Sequence, residues 1–505
     1  MKKIISIVLC ALMLTGIFST FTFADTPSLS GEERLADASK WDGTIPTAPD
    51  TLESLKGDGT ESNPYLLESA ADLALVAAYI NAAKDDLYGE FLKLNCDIDI
   101  QNQAWPGIGV FDNRSNDKMA FKGNFDGQGH VVFNLNLLSR DSSSTKQSAG
   151  FFGFFGFGGT IKNLGIASGN ISVKNTTYTG ALVGVVENLG IGRIENCFNL
   201  ANITTTCENL PDTSYASGAS LRTVCAGGIV GYVYKRANPV NTTIKNCFND
   251  GNITAVKQSA DQAVTLGGIV AENGASNLTL MTCCNYGDMG ISALGKNGDQ
   301  YGLLIGSLTG KSSITADSCY MSGAITTNYY DEQNSANNRA GALIGGLWSS
   351  TSVKTCSNNT YNGNFTANGT VRTFGLYGTN QATGDTSKLS TGFEATSEIK
   401  TAPDAYTFNE LKISTENTDT SSPSAPAPGP DVNVPNNGDD NESANQEQQN
   451  QTEQTIETSD SVEAVSDEPD TEEGGGCGSV INFAIPFVLI TGMCTVCTLK
   501  KNKED

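Results

Sequence analysis

Ala226-Gly-Gly-Ile-Val-Gly231, followed by Ile244-Lys-Asn-Cys-Phe-Asn-Asp-Gly-Asn-Ile253, is the clearest copy of a phrase that recurs between about Ala149 and Phe365. Further copies open at Gly150, Gly180, Gly267, Gly302 and Gly341, and the steps Cys247 to Cys283 and Cys283 to Cys319 are both 36 residues. Equal steps place the same position in each unit of a stacked array. A single unit cannot bury its Ile-Val or Leu-Ile pair, but neighbours stacked at strand spacing, ~4.8 Å, can. The phrase therefore predicts an all-β solenoid. Its glycines allow tight corners and close backbone approach. Asn at the Gly-Asn-Ile corner is expected to accept left-handed geometry and to bond along an Asn ladder.

Outward from the repeats the organisation changes. Lys2-Lys3 followed by the apolar Ile4 to Ile17 and by Thr22-Phe23-Ala24 reads as a secretory signal over residues 1–24, cleaved after Ala24. Residues 25–56 are polar and read as a linker. Residues 57–140 read as an N-terminal cap with the first coils. Ser69 to Ala83 has Leu73, Val76, Ala77 and Ile80 on one helical face, with Ser69 as N-cap. A lone helix there suits a cap over the open end of the stack. Phe91 to Ile100 alternates at period two and reads as one strand. Asp97 and Asp99 share a face of it, as a metal pair or as turn and edge hydrogen-bonders. His130, the sole histidine, reads as catalytic or as a structural hydrogen-bonded ring.

Residues 141–395 carry the repeats. Residues 396–475 read as a disordered acidic stalk, with 16 acids from Glu416 to Glu473 and no Lys or Arg between Lys412 and Lys500. Gly474-Gly-Gly-Cys-Gly-Ser479 runs into the segment 476–505, which continues with the apolar Val480 to Leu499 and then Lys500, Lys501 and Lys503. That span is long enough to cross a bilayer, with the lysines inside. Cys477 is the candidate for processing or lipid attachment.

The order Gly59-Thr60, Pro64-Tyr65, a strand ending at Cys96 to Ile100, Trp105-Pro-Gly-Ile-Gly109 and Phe121 to His130 resembles the N-terminal coils of bacterial surface proteins with Glug repeats. The resemblance covers roughly Gly57 to Phe365 and implies a right-handed parallel β-helix. Some members join such repeats to an IgA-type zinc peptidase. This chain has no HExxH, so the resemblance does not extend to that activity. The C-terminal Gly-Cys motif, apolar span and basic tail resemble a Gly/Cys-type sorting signal, or a plain membrane anchor.

The net charge of −24 excludes a general nucleic-acid binder. Neither a zinc ligand set nor a cofactor motif is present in the sequence. Cys197, Cys247, Cys283 and Cys319 form a ladder that reads as core thiols, while Cys207 and Cys225, at the long Thr204 to Val224 insertion, are a candidate disulfide. Insertions on a solenoid gather at particular corners and build binding faces. Here they carry Tyr215, Tyr234, Lys235, Arg236, Tyr329, Tyr330 and Arg339, the candidate ligand-binding residues. The expected function is non-catalytic display at the bacterial surface, binding an extracellular glycan or a host or matrix protein. The alternatives are a polysaccharide lyase or glycoside hydrolase on the same fold, and a structural envelope protein. Acids within the repeats are scattered (Glu187, Glu195, Asp250, Glu272, Asp288, Asp317), without the paired carboxylates that hydrolysis of a glycoside uses.

Overall fold

The computed structural model describes residues 30–404, except 112–116, 140–147, 157, 188–190, 208–222, 235–240, 259–261, 275–276, 293–297, 329–337, 349, 373–374, 381–384 and 390–391. The signal at Ala24, most of the stalk, Cys477 and the apolar span lie outside the described residues. Within them, no helix is long and apolar enough to cross a membrane.

The chain winds into a parallel β-solenoid. One coil runs through the strands Thr223–Gly227, Val230–Tyr234, Asn241–Lys245, Phe248–Asn249 and Ile253–Lys257, and the next begins at Ala263–Gly267. Strands pair in parallel with their counterparts one coil away, which builds faces of ten, nine, seven, seven and six strands, except that Thr370–Arg372 pairs antiparallel with Phe365–Ala367. On the ten-strand face Phe198 pairs with Phe248, then Cys284, Tyr320 and Thr360. The long step from Phe198 to Phe248 is taken up by insertions at corners, and the registers on either side are undisturbed.

Alternation divides the repeat between inside and outside. In Cys-Phe-Asn, the thiol and the amide point inward and the ring points out. Cys197, Cys247, Cys283 and Cys319 are at most 1% exposed. Each also donates to a carbonyl of the preceding coil, as Cys283 Sγ does to Ile244 O at 3.3 Å. Burial pushes the Cys247 and Cys319 thiols well up, so they are poor nucleophiles, as core thiols should be. The outward rings form a covered ladder of their own. Phe198 and Phe248 stack at 5.3 Å, and Tyr286 bridges Phe248 and Tyr320.

Three kinds of asparagine ladder hold the corners, one of them through Asn163, Asn196 and Asn246, and none is placed as expected. Asn199 Nδ2 donates to Asn249 Oδ1 at 2.7 Å, and Asn249 Nδ2 to Asn285 Oδ1 at 2.8 Å. These belong to Cys-Phe-Asn and its counterparts, are fully buried, and satisfy polar groups that water cannot reach. The Asn of Gly-Asn-Ile instead bonds to backbone. Asn202 Oδ1 accepts from Asn252 N, and Asn252 Oδ1 from Asp288 N, both at 2.9 Å. Left-handed geometry falls on the residue before each Cys: Asn196, Asn246, Thr282 and Ser318 have φ of 54°, 51°, 53° and 56°. Asparagine is tolerant there because its short amide compensates the crowded backbone locally. The glycine opening each Ile-Val phrase is needed for close approach. At Gly267 an added Cβ would collide with the Val270 carbonyl, and Gly227, Gly302 and Gly341 repeat this against Val230, Ile305 and Ile344.

Helix α1 (Gly31–Asp37) and the strand Ser39–Lys40 correct the linker expected over residues 25–56. Ser30 caps α1 in a capping box with Glu33. Ser39–Lys40 then pairs in parallel with Ile98–Asp99 as the first strand of the ten-strand face, and Trp41, Leu52 and Leu55 are buried in the core. The anchor is Arg34. Its Nε and Nη2 donate to the two carboxylate oxygens of Asp97, both at 2.7 Å, and Nη2 also donates to Gly129 O at 2.9 Å. Polar composition suggested a linker because one buried arginine does the work that an apolar run does elsewhere.

Helix α2 (Ala70–Asn81), capped by Ser69, is the crossover between Tyr65–Leu67 and Phe91–Leu94, neighbours on the nine-strand face. Its buried side extends past the expected stripe to Ala70, Ala74 and Ala78, which fits a helix laid over one end of the core. The single strand expected over Phe91 to Ile100 is two, Phe91–Leu94 and Ile98–Asp99. The chain turns a corner between them, so the two strands lie on different faces of the solenoid.

Candidate functional site

Asp97 and Asp99 do not converge on a metal. Asp97 Oδ1 also accepts Val131 N at 2.9 Å and lies 3.0 Å from His130 Nδ1. Burial alone would raise its pKa, but Arg34, His130 and the Val131 N–H outweigh it and hold Asp97 at about 2. Asp99 accepts from Gln101 N and from Asn134 Nδ2. His130 is thus a structural ring that helps seat α1. Among the described residues, no group of three or more His, Cys, Asp or Glu could hold a metal ion.

The structure gathers chemistry at another place, the exterior corner between the six-strand face and the face carrying Val230–Tyr234. The glycine bend at Gly180, Gly227, Gly267 and Gly302 brings the outward side chains of both faces together there. One column runs Phe154, Val185, Tyr232, Glu272 and Ser307 in register. The facing column runs Tyr178, Cys225, Thr265 and Gln300. Tyr178 and Tyr232 stack with ring centroids 4.3 Å apart and planes 9° off parallel. Tyr234 lies 5.8 Å from Tyr232 and 5.6 Å from Phe111, which closes over Phe154. All three tyrosines keep part of their surface in solvent.

One coil further on, the corner turns polar. Glu272 accepts Cys225 Sγ at 3.3 Å and Thr309 Oγ1 at 3.1 Å. Burial raises the Glu272 pKa, with the thiol and hydroxyl hydrogen bonds opposing. Burial, then the Glu272 charge, raises Tyr232 well above the ordinary phenol value, so it remains a hydrogen-bond donor at neutral pH. Beyond Glu272, Trp348 Nε1 donates to Gln300 Oε1 at 2.7 Å. An aromatic shelf passes into a strip of carboxyl, hydroxyl and amide groups along a single corner.

Of the ligand-binding candidates read from the sequence, Tyr234 belongs to this corner. Arg339 is in the strand Asn338–Gly341, paired with Gln300. Tyr215, Lys235, Arg236, Tyr329 and Tyr330 lie outside the described residues. Their segments connect directly to the strands of this corner: 208–222 leads into Thr223–Gly227, 235–240 follows Val230–Tyr234, and 329–337 leads into Asn338–Gly341. Cys207 and Cys225 are not brought together as a disulfide. Both are free thiols, Cys207 in the inner core and Cys225 on the exterior corner beside Glu272. Tyr178, Tyr232, Phe111 and Glu272 were missed in the sequence. The available signal was Tyr232 and Glu272 at the same place in successive copies, one step past the glycine bend.

No family model matches the chain. It is 34% identical over 138 residues to halomucin of Haloquadratum walsbyi, and 29% identical over 140 residues to a protein of Evansella cellulosilytica provisionally named a Gly-rich membrane protein. These matches cover 26% and 28% of the chain but 1% and 15% of the relatives, so it spans only a small part of either. Among solved structures, a Bacteroides ovatus chain provisionally titled an immunoglobulin A1 protease aligns at 20% identity with a TM-score of 0.46, over 68% of this chain and 86% of that one.

Proposed function

We propose that this chain is a non-catalytic display protein of the bacterial cell envelope, with Glug-type coils as scaffold, and that its exterior corner binds a carbohydrate-bearing or matrix ligand. The observation that carries the reading is the stacked Tyr178–Tyr232 pair, flanked by Tyr234 and running into Glu272, Thr309 and Gln300. Aromatic faces offer large apolar area at low entropic cost, and their hydroxyls remain polar handles. A sugar ring, apolar on its C–H face and polar at its rim, matches that combination. Tyr215, Lys235, Arg236, Tyr329, Tyr330 and Arg339 are the further ligand-binding candidates, in or next in sequence to the strands of this corner.

Envelope association is supported by the names of the relatives and by the sequence pattern of signal, stalk, Cys477 and apolar span. The test is a glycan and matrix-protein array probed with the full chain, alongside Tyr178→Ala and Tyr232→Ala variants. Binding that both variants abolish is expected. An array negative throughout, or variants that bind undiminished, refutes the corner as the site. Turnover of any bound glycan in a reducing-end assay refutes the non-catalytic reading.

A further inference from the structure

Among the described residues, the solenoid interior holds one ion pair of a different kind. Lys257 ends the strand Ile253–Lys257 and points inward, and Asp299 begins the strand Asp299–Gly302 one coil on. Both side chains are 0% exposed. Lys257 Nζ lies 2.9 Å from Asp299 Oδ1 and 2.9 Å from Oδ2, which centres the amine on the carboxyl group. The Val264 N–H donates to Oδ1 at 3.0 Å. The Tyr301 ring, fully buried on the next inward position, brings its hydroxyl near Asp299 and Thr327 without a hydrogen bond of good geometry to either. As a permanent ion pair this arrangement is expensive, because desolvation costs several kcal/mol per ion and the attraction repays it only with every donor satisfied. Here both hydrogen bonds found for Nζ go to Asp299 alone.

We propose that Lys257 and Asp299 are joined by an isopeptide bond formed within the folded solenoid. A proton passes from Nζ to Oδ2, leaving a neutral amine and a neutral acid. Burial pushes Asp299 up to about 6, against the opposing Lys257 charge and hydrogen bonds, and so lowers the cost of forming the acid. The amine lone pair attacks Cγ. Negative charge collects on Oδ1, where the Val264 N–H is already placed to hold it. The Cγ–Oδ2 bond then breaks, and the departing hydroxyl takes a proton from Nζ through the Tyr301 hydroxyl. One amide forms, one water leaves, and no oxidant or reductant is required. Holding both groups in contact supplies the effective concentration, and the product carries neither buried charge. The bond ties two successive coils at a corner beside the six-strand face, a covalent staple for a fold otherwise held by hydrogen bonds and packing.

The experiment is mass spectrometry of the full chain, reduced and denatured after folding, followed by peptide mapping. The expected intact mass falls short of the processed sequence by one water. A branched peptide should join the Lys257 and Asp299 segments. Lys257→Ala and Asp299→Ala should restore the full mass, and Tyr301→Phe should leave a mixture of linked and unlinked chain. Linear peptides carrying unmodified Lys257 and Asp299 from folded wild-type protein overturn the proposal, as does a water loss mapped to any other residue. The wild-type map decides the question even where a variant fails to fold.

Discussion

Replacing Asp97 by Asn tests how the N-terminal segment is held. The substitution keeps the shape but removes the charge facing Arg34, whose side chain is 9% exposed. Two magnitudes bound the cost. The hold on Asp97 at about 2, against an ordinary value of 3.8, corresponds to about 2 kcal/mol through linkage. Leaving the partner of a buried pair charged and alone costs ~3–5 kcal/mol. The loss should be local, because solenoid stability is a sum of neighbour contacts. Native-state hydrogen exchange reads it directly. Ser39 N donates to Asp97 O and Trp41 N to Asp99 O, and these amides should exchange at least ~30-fold faster, the equivalent of the lower figure, while coils beyond Phe198 keep their protection. The pH dependence has a definite sign. The folded pKa is depressed, so this stabilisation is fully present above about pH 4 and is lost as pH falls toward 2. Undiminished protection at Ser39 and Trp41 in an otherwise folded Asp97→Asn protein would refute the reasoning.

Four further outcomes follow from the same contacts. Gly267→Ala forces a Cβ into the Val270 carbonyl and should cost more than ~2 kcal/mol, seen as a lower urea midpoint or loss of soluble protein. Asn249→Ala opens a buried ladder in the middle and strands amide groups of Asn199 and Asn285. It should cost about 2–4 kcal/mol, and Asn252→Ala, on an exposed side chain, clearly less. Glu272 has a raised pKa in the folded state, so its contribution is greatest at acid pH and declines as pH rises through the folded value. Glu272→Gln should therefore raise the thermal midpoint at pH 7 more than at pH 4. Cys197, Cys247, Cys283 and Cys319 should stay unreactive toward a thiol reagent in the native protein and react together on unfolding.

The solenoid was legible because its signal is periodic: Cys247, Cys283 and Cys319 fall at equal steps, and equal steps require stacking. The inward Cys and the helix cap at Ser69 followed from the same local rules. What escaped depended on contacts far apart in the chain. The Arg34–Asp97 pair spans 63 residues, so the contact that ties residues 30–56 to the body could not be read locally, although the Ser30–Glu33 capping box was a local sign of the helix. The left-handed corner was assigned to Asn202 and Asn252 when it belongs to Asn196 and Asn246. Both positions are Asn in a turn, and only coil geometry separates them. The aromatic corner was hidden similarly, since Tyr178 and Tyr232 meet only once a 50-residue coil has closed.

The end of the described chain bears on how load would enter the molecule. The stalk was expected to leave the body at residue 396. Instead Tyr320 Oη donates to Glu398 O and accepts from Lys400 N, the Lys400 ammonium lies 5.1 Å over the Tyr320 ring, and Ala402 reaches the outer cluster containing Phe248. After pairing with Asn359–Tyr361, the chain doubles back along the ten-strand face toward earlier coils. Tension applied from the C-terminal side therefore meets this strap before it meets the last coil. The strap must peel from Tyr320 one contact at a time, a slow and low-force release, before the terminal strand's hydrogen bonds carry any strain. It behaves as a sacrificial link in series with the stack.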